Sequence, residues 1–288
     1  MQSSTYAFNC RTRDTEAERI YLSASGTSRS AVVLAASRGQ GLEAITTERP
    51  KVMLPVAGKP LLRWLIDGFK KESINDITVV GGYRADAIDT AGIKLVVNDR
   101  YEHTGELASF ACAVDKLEND TVISYGDLLF RSYVLRDLVE SQADFSVVVD
   151  SSQSEASNRT VRDFAFCSAG DDRGLFGQQV VLQRVSSEAD AADAQGRWIG
   201  MLNVRASGLP RLKSVLARLR AQADFDQLDM PALLNALVAD GAVIEVQYVH
   251  GHWRGVNDLE DFRRAGDFAH AQTPLGSAAG KAAAEGGQ

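Results

Sequence analysis

Five short runs rich in apolar and β-branched residues recur through the first half of the chain: AVVLAA (31–36), DITVVGG (76–82), IKLVVN (93–98), TVISYG (121–126) and FSVVVD (145–150). Between them, PLLRWLIDGFKK (60–71), ELASFACAVDKL (106–117) and VLRDLVESQ (134–142) carry apolar residues at helical spacing. Strands alternating with helices imply right-handed βαβ crossovers, and so a mostly parallel sheet with helices on both faces.

After Asp150 the rhythm changes. RDFAFCS, GQQVVLQRV and RWIGMLNV follow a polar stretch as three strand-like runs without helices between them, which predicts a small antiparallel excursion. Helices resume at LKSVLARLRAQ and PALLNALVAD, IEVQYV and HWRGV read as strands, and LEDFRRAGDFAHA closes as a helix. The expected fold class is therefore α/β, a three-layer α/β/α Rossmann-like mixed sheet. The polar residues 1–29 read as a flexible lead-in or linker, 30–270 as one large domain, with two domains as the alternative, and 271–288, rich in Ala and Gly, as a disordered tail.

Composition narrows the function classes. A formal net charge of −7 argues against nucleic acid as the main partner, because binding the phosphate backbone needs a surplus of Lys and Arg. Cys10, Cys112 and Cys167 are odd in number and widely spaced, which fits neither a disulfide framework nor a zinc site. The first residues lack the apolar core of a signal peptide and no apolar run is long enough to span a bilayer, so a cytoplasmic protein without a membrane partner is expected.

In open α/β sheets the ligand lies beyond the carboxyl ends of the strands. After the first strand come Ser37-Arg38-Gly39-Gln40-Gly41, small residues that let backbone N–H groups approach phosphate oxygens. Gly39-x-Gly41-x-x-Ala44 also matches a loose dinucleotide fingerprint. That reading needs a long helix straight after the loop and an acidic residue roughly 20 residues on. Pro50, Pro55 and Pro60 interrupt the span, and the turn Gly58-Lys59-Pro60 stands where the acid is needed. The loop is not GxxxxGK[ST] either. A plain surface turn remains the bland alternative, against which Pro50-Lys51 sets a cation beside the loop, unless Lys51 is merely solvated.

Asp127 follows TVISYG at the end of a strand, suited to holding Mg²⁺ against a phosphate or else to capping the next helix. Asp150 stands likewise one strand later, facing a bound cation or opening a polar loop. Asn257 and Asp258, before the last helix, are helix caps or a second metal ligand. The histidines show no metal or triad spacing, and no GxSxG elbow supports serine chemistry.

LAASRGQGLEAITTERPKVMLPVAGKPLL resembles the signature LAAGxGxRL…T…PKxLxPVxGKPLL of the nucleoside triphosphate transferases, the nucleotidyltransferases of sugar 1-phosphates and phosphocholine. Further matches follow in order over roughly residues 30 to 265: VVGGYRADAI, VVNDRYEHTGELASF, SYGDLLF and HWRGVNDLEDF. Within that family the chain is most similar to the cytidylyltransferases of phosphonate metabolism, on the strength of AASRGQ and GDLLFR and of a lead-in like that of members fused to phosphoenolpyruvate mutase.

The resemblance implies the nucleotide-diphospho-sugar transferase fold and transfer of CMP from CTP to 2-aminoethylphosphonate or 2-hydroxyethylphosphonate with release of pyrophosphate. It also implies that Ala35, Ala36, Ser37 and Gly39 hold the nucleotide, Gly82 and Ser109 line the base, and Lys51 neutralises phosphates. Asp127 and Asn257 would bind Mg²⁺, Asn257 repeating the GVN of the N-acetylglucosamine-1-phosphate uridyltransferases. Asp150, Tyr125 and Trp198 are the candidates for meeting an acceptor ammonium by ion pairing or cation–π contact, with Trp198 equally readable as core. A functional link to phosphoenolpyruvate mutase follows from the same likeness, and a homodimer is allowed without being specified. The family's loop arginine is replaced by Gly41, which leaves the triphosphate a cation short unless Arg38 or another base reaches in. A sugar-1-phosphate or phosphocholine transferase and a catalytically silent nucleotide-binding module are the rival readings.

Overall fold

In the computed structural model, the described residues are 28–39, 41–152, 163–172, 179–187 and 193–271. The expected lead-in up to residue 27, the tail from 272 and Cys10 lie outside them. The strands are β1 (Arg29–Ala35), β2 (Pro55–Val56), β3 (Lys59–Pro60), β4 (Asp76–Gly81), β5 (Lys94–Val97), β6 (Asp120–Tyr125), β7 (Leu128–Phe130), β8 (Phe145–Asp150), β9 (Phe164–Cys167), β10 (Leu182–Ser186), β11 (Gly196–Val204), β12 (Ile244–Val249) and β13 (Trp253–Gly255). The helices are α1 (Leu61–Lys71), α2 (Glu106–Ala111), α3 (Ser132–Glu140), α4 (Leu209–Arg220), α5 (Met230–Ala239) and α6 (Leu259–His270).

The main sheet runs β5-β4-β1-β6-β11-β8-β12, with β9 and β10 added beside the first residues of β11. β1 pairs in parallel with β4 and β6, and β8 pairs in parallel with β12. The antiparallel element is larger in consequence than an excursion: β11 lies in the middle of the sheet, antiparallel to both β6 and β8. Only β9 and β10 form the predicted side ladder.

Side-chain alternation builds the three layers. Val32 and Leu34 of β1 face a core shared with α2, α4 and α5, while Ala31 and Val33 face a second core shared with α1 and α3. Helix α1 shows why such a segment is helical: Leu61, Leu62, Leu65, Ile66 and Phe69 recur on one side and are buried. Each such side chain stabilises the fold by about 1.5–3 kcal/mol. Lys70 and Lys71 in its last turn complement the helix dipole. A third, smaller core gathers Leu42 from the loop after β1, Val56, Leu129, Val256 and Ala265 of α6. It ties that loop to the chain's last strand and helix, which brings residues some two hundred positions apart to one place.

Candidate nucleotide and metal site

A cavity of about 1170 Å³ opens at the carboxyl ends of β1 and β6. Ala35, Ala36, Ser37, Arg38, Gly39 and Gly41 line one side of it, joined by Lys51, Asp127 and Asn257. Pro50, at φ −70°, ends the loop and starts a single helical turn whose first residue is Lys51. The lysine, 8% exposed, runs its stem beneath Gly39. Gly39 sits at φ +85°, and a Cβ there would come within 2.9 Å of Lys51 Cδ. Glycine is thus required twice over, by conformation and by the passage of the stem.

The Lys51 ammonium ends 2.5 Å from Asp127 Oδ2 and 3.4 Å from Asn257 Oδ1. Two elements place those oxygens. Asp127 occupies the turn between β6 and β7, and the short β7–β13 ladder sets Gly255 opposite Leu128. Val256 N–H then donates to Asp127 O at 3.0 Å, which delivers Asn257 beside the carboxylate. Asp258 takes the helix-capping role, accepting from Asp261 N–H at 2.7 Å, so Asn257 is left to face the cavity. Asp127 is not a cap, because α3 begins later, after Arg131.

A carboxylate and an amide oxygen converging on one ammonium are donors that suit a hard cation, with Lys51 standing in for it. Among the described residues no group of three or more His, Cys, Asp or Glu side chains is arranged to hold a metal. Mg²⁺ matches that sparse set, since it usually takes one or two protein oxygens and keeps water and phosphate for the rest.

Beyond the loop, Tyr83 and Tyr101 meet edge to face with centroids 6.3 Å apart, and Ser109 lies with them on the cavity wall. The Ser109 hydroxyl accepts from Asn98 Nδ2 at 3.0 Å, fixing its position. Gly82 does not line the cavity. Its Cβ would strike Ala36 O and the Tyr101 side chain at 2.7 Å, so it acts by letting the two segments meet.

Another part of the cavity wall is acidic and aromatic. Tyr125 donates to Glu106 Oε2 at 2.6 Å, and its ring lies 5.4 Å from that of Trp198, both lining the cavity. Trp198 is also core, with Nε1 donating to Met201 O at 2.8 Å. Gly200, at φ +89°, makes the arrangement feasible, since a Cβ there would lie 2.2 Å from the Tyr125 ring. It sits where the β11–β8 register shifts, an irregularity of the kind found beside active sites. Burial raises the Glu106 carboxyl, against the bond from Tyr125, and burial with Glu106 and Asp229 nearby pushes Asp163 up to about 7. Burial and Glu106 likewise hold the Tyr125 hydroxyl well above its usual range.

Asp150 corrects an expectation. It is 1% exposed and does not line the cavity. Its oxygens accept from the Ser152 amide and hydroxyl, Gly251 N–H and Trp253 Nε1, all at 2.8–2.9 Å. That carboxylate fastens β8 to the turn before β13 rather than facing a ligand. Glu106 and Asp163 are the carboxylates that line the cavity beside Tyr125 and Trp198. Glu106 lies within a quoted segment but at a helix start, where an acid is ordinary, and Asp163 precedes β9 with no spacing to mark it.

Comparison with known proteins finds relatives among the nucleotidyltransferases. The chain is similar to the CTP:phosphoglutamine cytidylyltransferase of Campylobacter jejuni, 24% identical over 80% of this chain and 96% of that protein. The CMP-5'-(3-aminopropyl)phosphonate synthase of Streptomyces rubellomurinus is 29% identical over 83% of this chain, which spans 38% of that protein's length. The solved CTP:phosphocholine cytidylyltransferase of Streptococcus pneumoniae shares the fold, with a TM-score of 0.66 at 20% identity over 84% of this chain and 99% of that one. A family model described as the MobA-like NTP transferase domain matches residues 31–222.

Proposed function

The chain belongs to the MobA-like NTP transferase family, and from that premise we propose that it transfers CMP from CTP to a small phosphonate, with release of pyrophosphate. The observation that carries the transfer chemistry is the meeting of Lys51, Asp127 and Asn257 beneath the loop after β1. Nucleotidyl transfer asks mainly for positioning and charge neutralisation. The phosphonate oxygen is already anionic at neutral pH, so it attacks the α-phosphorus in line without a general base, and pyrophosphate departs as that P–O bond breaks.

Each residue has a defined share. The amides around Ser37 and Gly39 would take phosphate oxygens, and Lys51 would turn from Asp127 to the α-phosphate, where negative charge accumulates. Asp127 and Asn257 would hold Mg²⁺, which would supply neutralisation of phosphate charge there. Tyr83, Tyr101 and Ser109 would flank the base.

The acceptor end supports a cationic substrate. Glu106 and Asp163 beside the rings of Tyr125 and Trp198 suit an ammonium by ion pairing and cation–π contact. That favours 2-aminoethylphosphonate over 2-hydroxyethylphosphonate, and it fits a relative named for a CMP-aminopropylphosphonate product. Phosphocholine is the second reading, favoured by the same rings. The acceptor would come from an enzyme forming a carbon–phosphorus bond, in keeping with the expected link to phosphoenolpyruvate mutase.

The test is pyrophosphate release with each of the four common nucleoside triphosphates crossed against 2-aminoethylphosphonate, 2-hydroxyethylphosphonate, phosphocholine and glucose 1-phosphate. Release is expected with CTP, highest with 2-aminoethylphosphonate. Release with the sugar phosphate alone would refute the acceptor assignment.

A further inference from the structure

Among the described residues that line the cavity, Lys51 and Arg38 are the basic ones, and Lys51 is already paired with Asp127. Gly41 cannot easily carry the missing arginine, because it sits at φ +81°, a region that side-chain-bearing residues enter with strain. Arg38, three residues earlier, lines the same cavity. Its guanidinium carbon lies 5.1 Å from the centroid of the Tyr83 ring, and Nη2 donates to the Glu43 backbone carbonyl at 3.3 Å.

Next to it a carboxylate occupies the donors a phosphate would use. Glu43 Oε1 accepts from Gly41 N–H at 3.0 Å. Its own amide, the Gly41 amide and the Arg38 charge hold the Glu43 carboxyl below the usual carboxylate range. Loop amides beside an arginine are the elements of an anion site, and glycine at the turn leaves them open to a ligand.

We propose that Arg38 and the Gly41 amide grip the terminal phosphates of the nucleotide, replacing the absent loop arginine, and that Glu43 is an internal competitor whose carboxylate must leave that grip first. The inference rests on the nucleotide-site reading above and adds to it a residue that sets phosphate affinity. Displacing Glu43 favours ligands with several linked phosphates, which engage Arg38, the loop amides and Lys51 together, over a single phosphate that meets one of them.

The experiment measures binding of inorganic tripolyphosphate to the full chain by titration calorimetry in metal-free buffer. The wild type is compared with Glu43→Gln and Arg38→Ala, their folding checked by thermal melting. Glu43→Gln is expected to tighten binding several-fold, and Arg38→Ala to weaken it by about tenfold, the size of a lost charge-assisted hydrogen bond. Unchanged affinity in Arg38→Ala, or unchanged or weaker affinity in Glu43→Gln, would overturn the proposal. Tripolyphosphate carries neither base nor acceptor. Failure of CMP transfer with these affinity changes intact would therefore count against the proposed function and not against this grip.

Discussion

Lys51 Nζ lies between Asp127 and Asn257 at 2.5 and 3.4 Å, so one ammonium satisfies the oxygens that a divalent cation would need. Under the proposed mechanism lysine and metal would compete until phosphate draws the lysine away. Lys51→Ala is expected to lower kcat/KM by roughly 10²- to 10³-fold and, without nucleotide, to bind Mn²⁺ more tightly by electron paramagnetic resonance titration. Weaker Mn²⁺ binding in that variant would show that the two oxygens are not the metal's. Elsewhere on the cavity wall, burial with Glu106 and Asp229 nearby pushes the Asp163 carboxyl up to about 7. An ammonium acceptor binds its ionised form, so acceptor KM should fall as pH rises through 7, and Asp163→Asn should flatten that profile. For stability the sign is opposite: a raised carboxyl favours the folded state at low pH and loses that advantage as pH climbs from near 4 to 7. Urea midpoints across this window should therefore decline less in Asp163→Asn than in the wild type.

At the scale of elements, the site depends on small pieces of backbone more than on long ones. The β7–β13 ladder is three residues long on each side, yet it sets Asn257 against Asp127. Asp150 anchors the turn ahead of β13 through Gly251 and Trp253. Asp150→Ala would leave Trp253 Nε1 buried and unmet and Gly251 N–H without this acceptor, at a cost of about 2–4 kcal/mol. A lowered unfolding midpoint with little change in acceptor KM is expected; a selective rise in acceptor KM at unchanged stability would return Asp150 to the acceptor role. The segments β1, β4, β6, β8, α1 and α3 were legible because the strands are unbroken apolar, β-branched runs and the helices repeat apolar residues at helical spacing. Strands of two or three residues carry no period, so β2, β3 and the pairing of β7 with β13 could not be read. The place of β11 in mid-sheet is likewise a long-range matter: RWIGMLNV looks like a strand, but nothing local says which neighbours it will have.

Across the whole molecule, two cores sandwich one sheet and a third binds the first loop to the last helix, so that Ser37, Gly39, Lys51, Asp127 and Asn257 share one cavity. The glycine loop and the proline-fixed lysine on its wall were readable, because backbone chemistry there is local. Glu106 and Asp163 were not, because they come from separate elements and join Tyr125 and Trp198, which the resemblance had pointed to, only through the fold. Among the described residues no helix is long and apolar enough to cross a membrane. The direct test of CMP transfer is ³¹P NMR of the protein with CTP, Mg²⁺ and 2-aminoethylphosphonate. The expected result is a pair of coupled resonances from a new phosphonate–phosphate anhydride, growing in step with pyrophosphate. A spectrum in which CTP is unchanged, or is hydrolysed while the phosphonate signal stays in place, would contradict it.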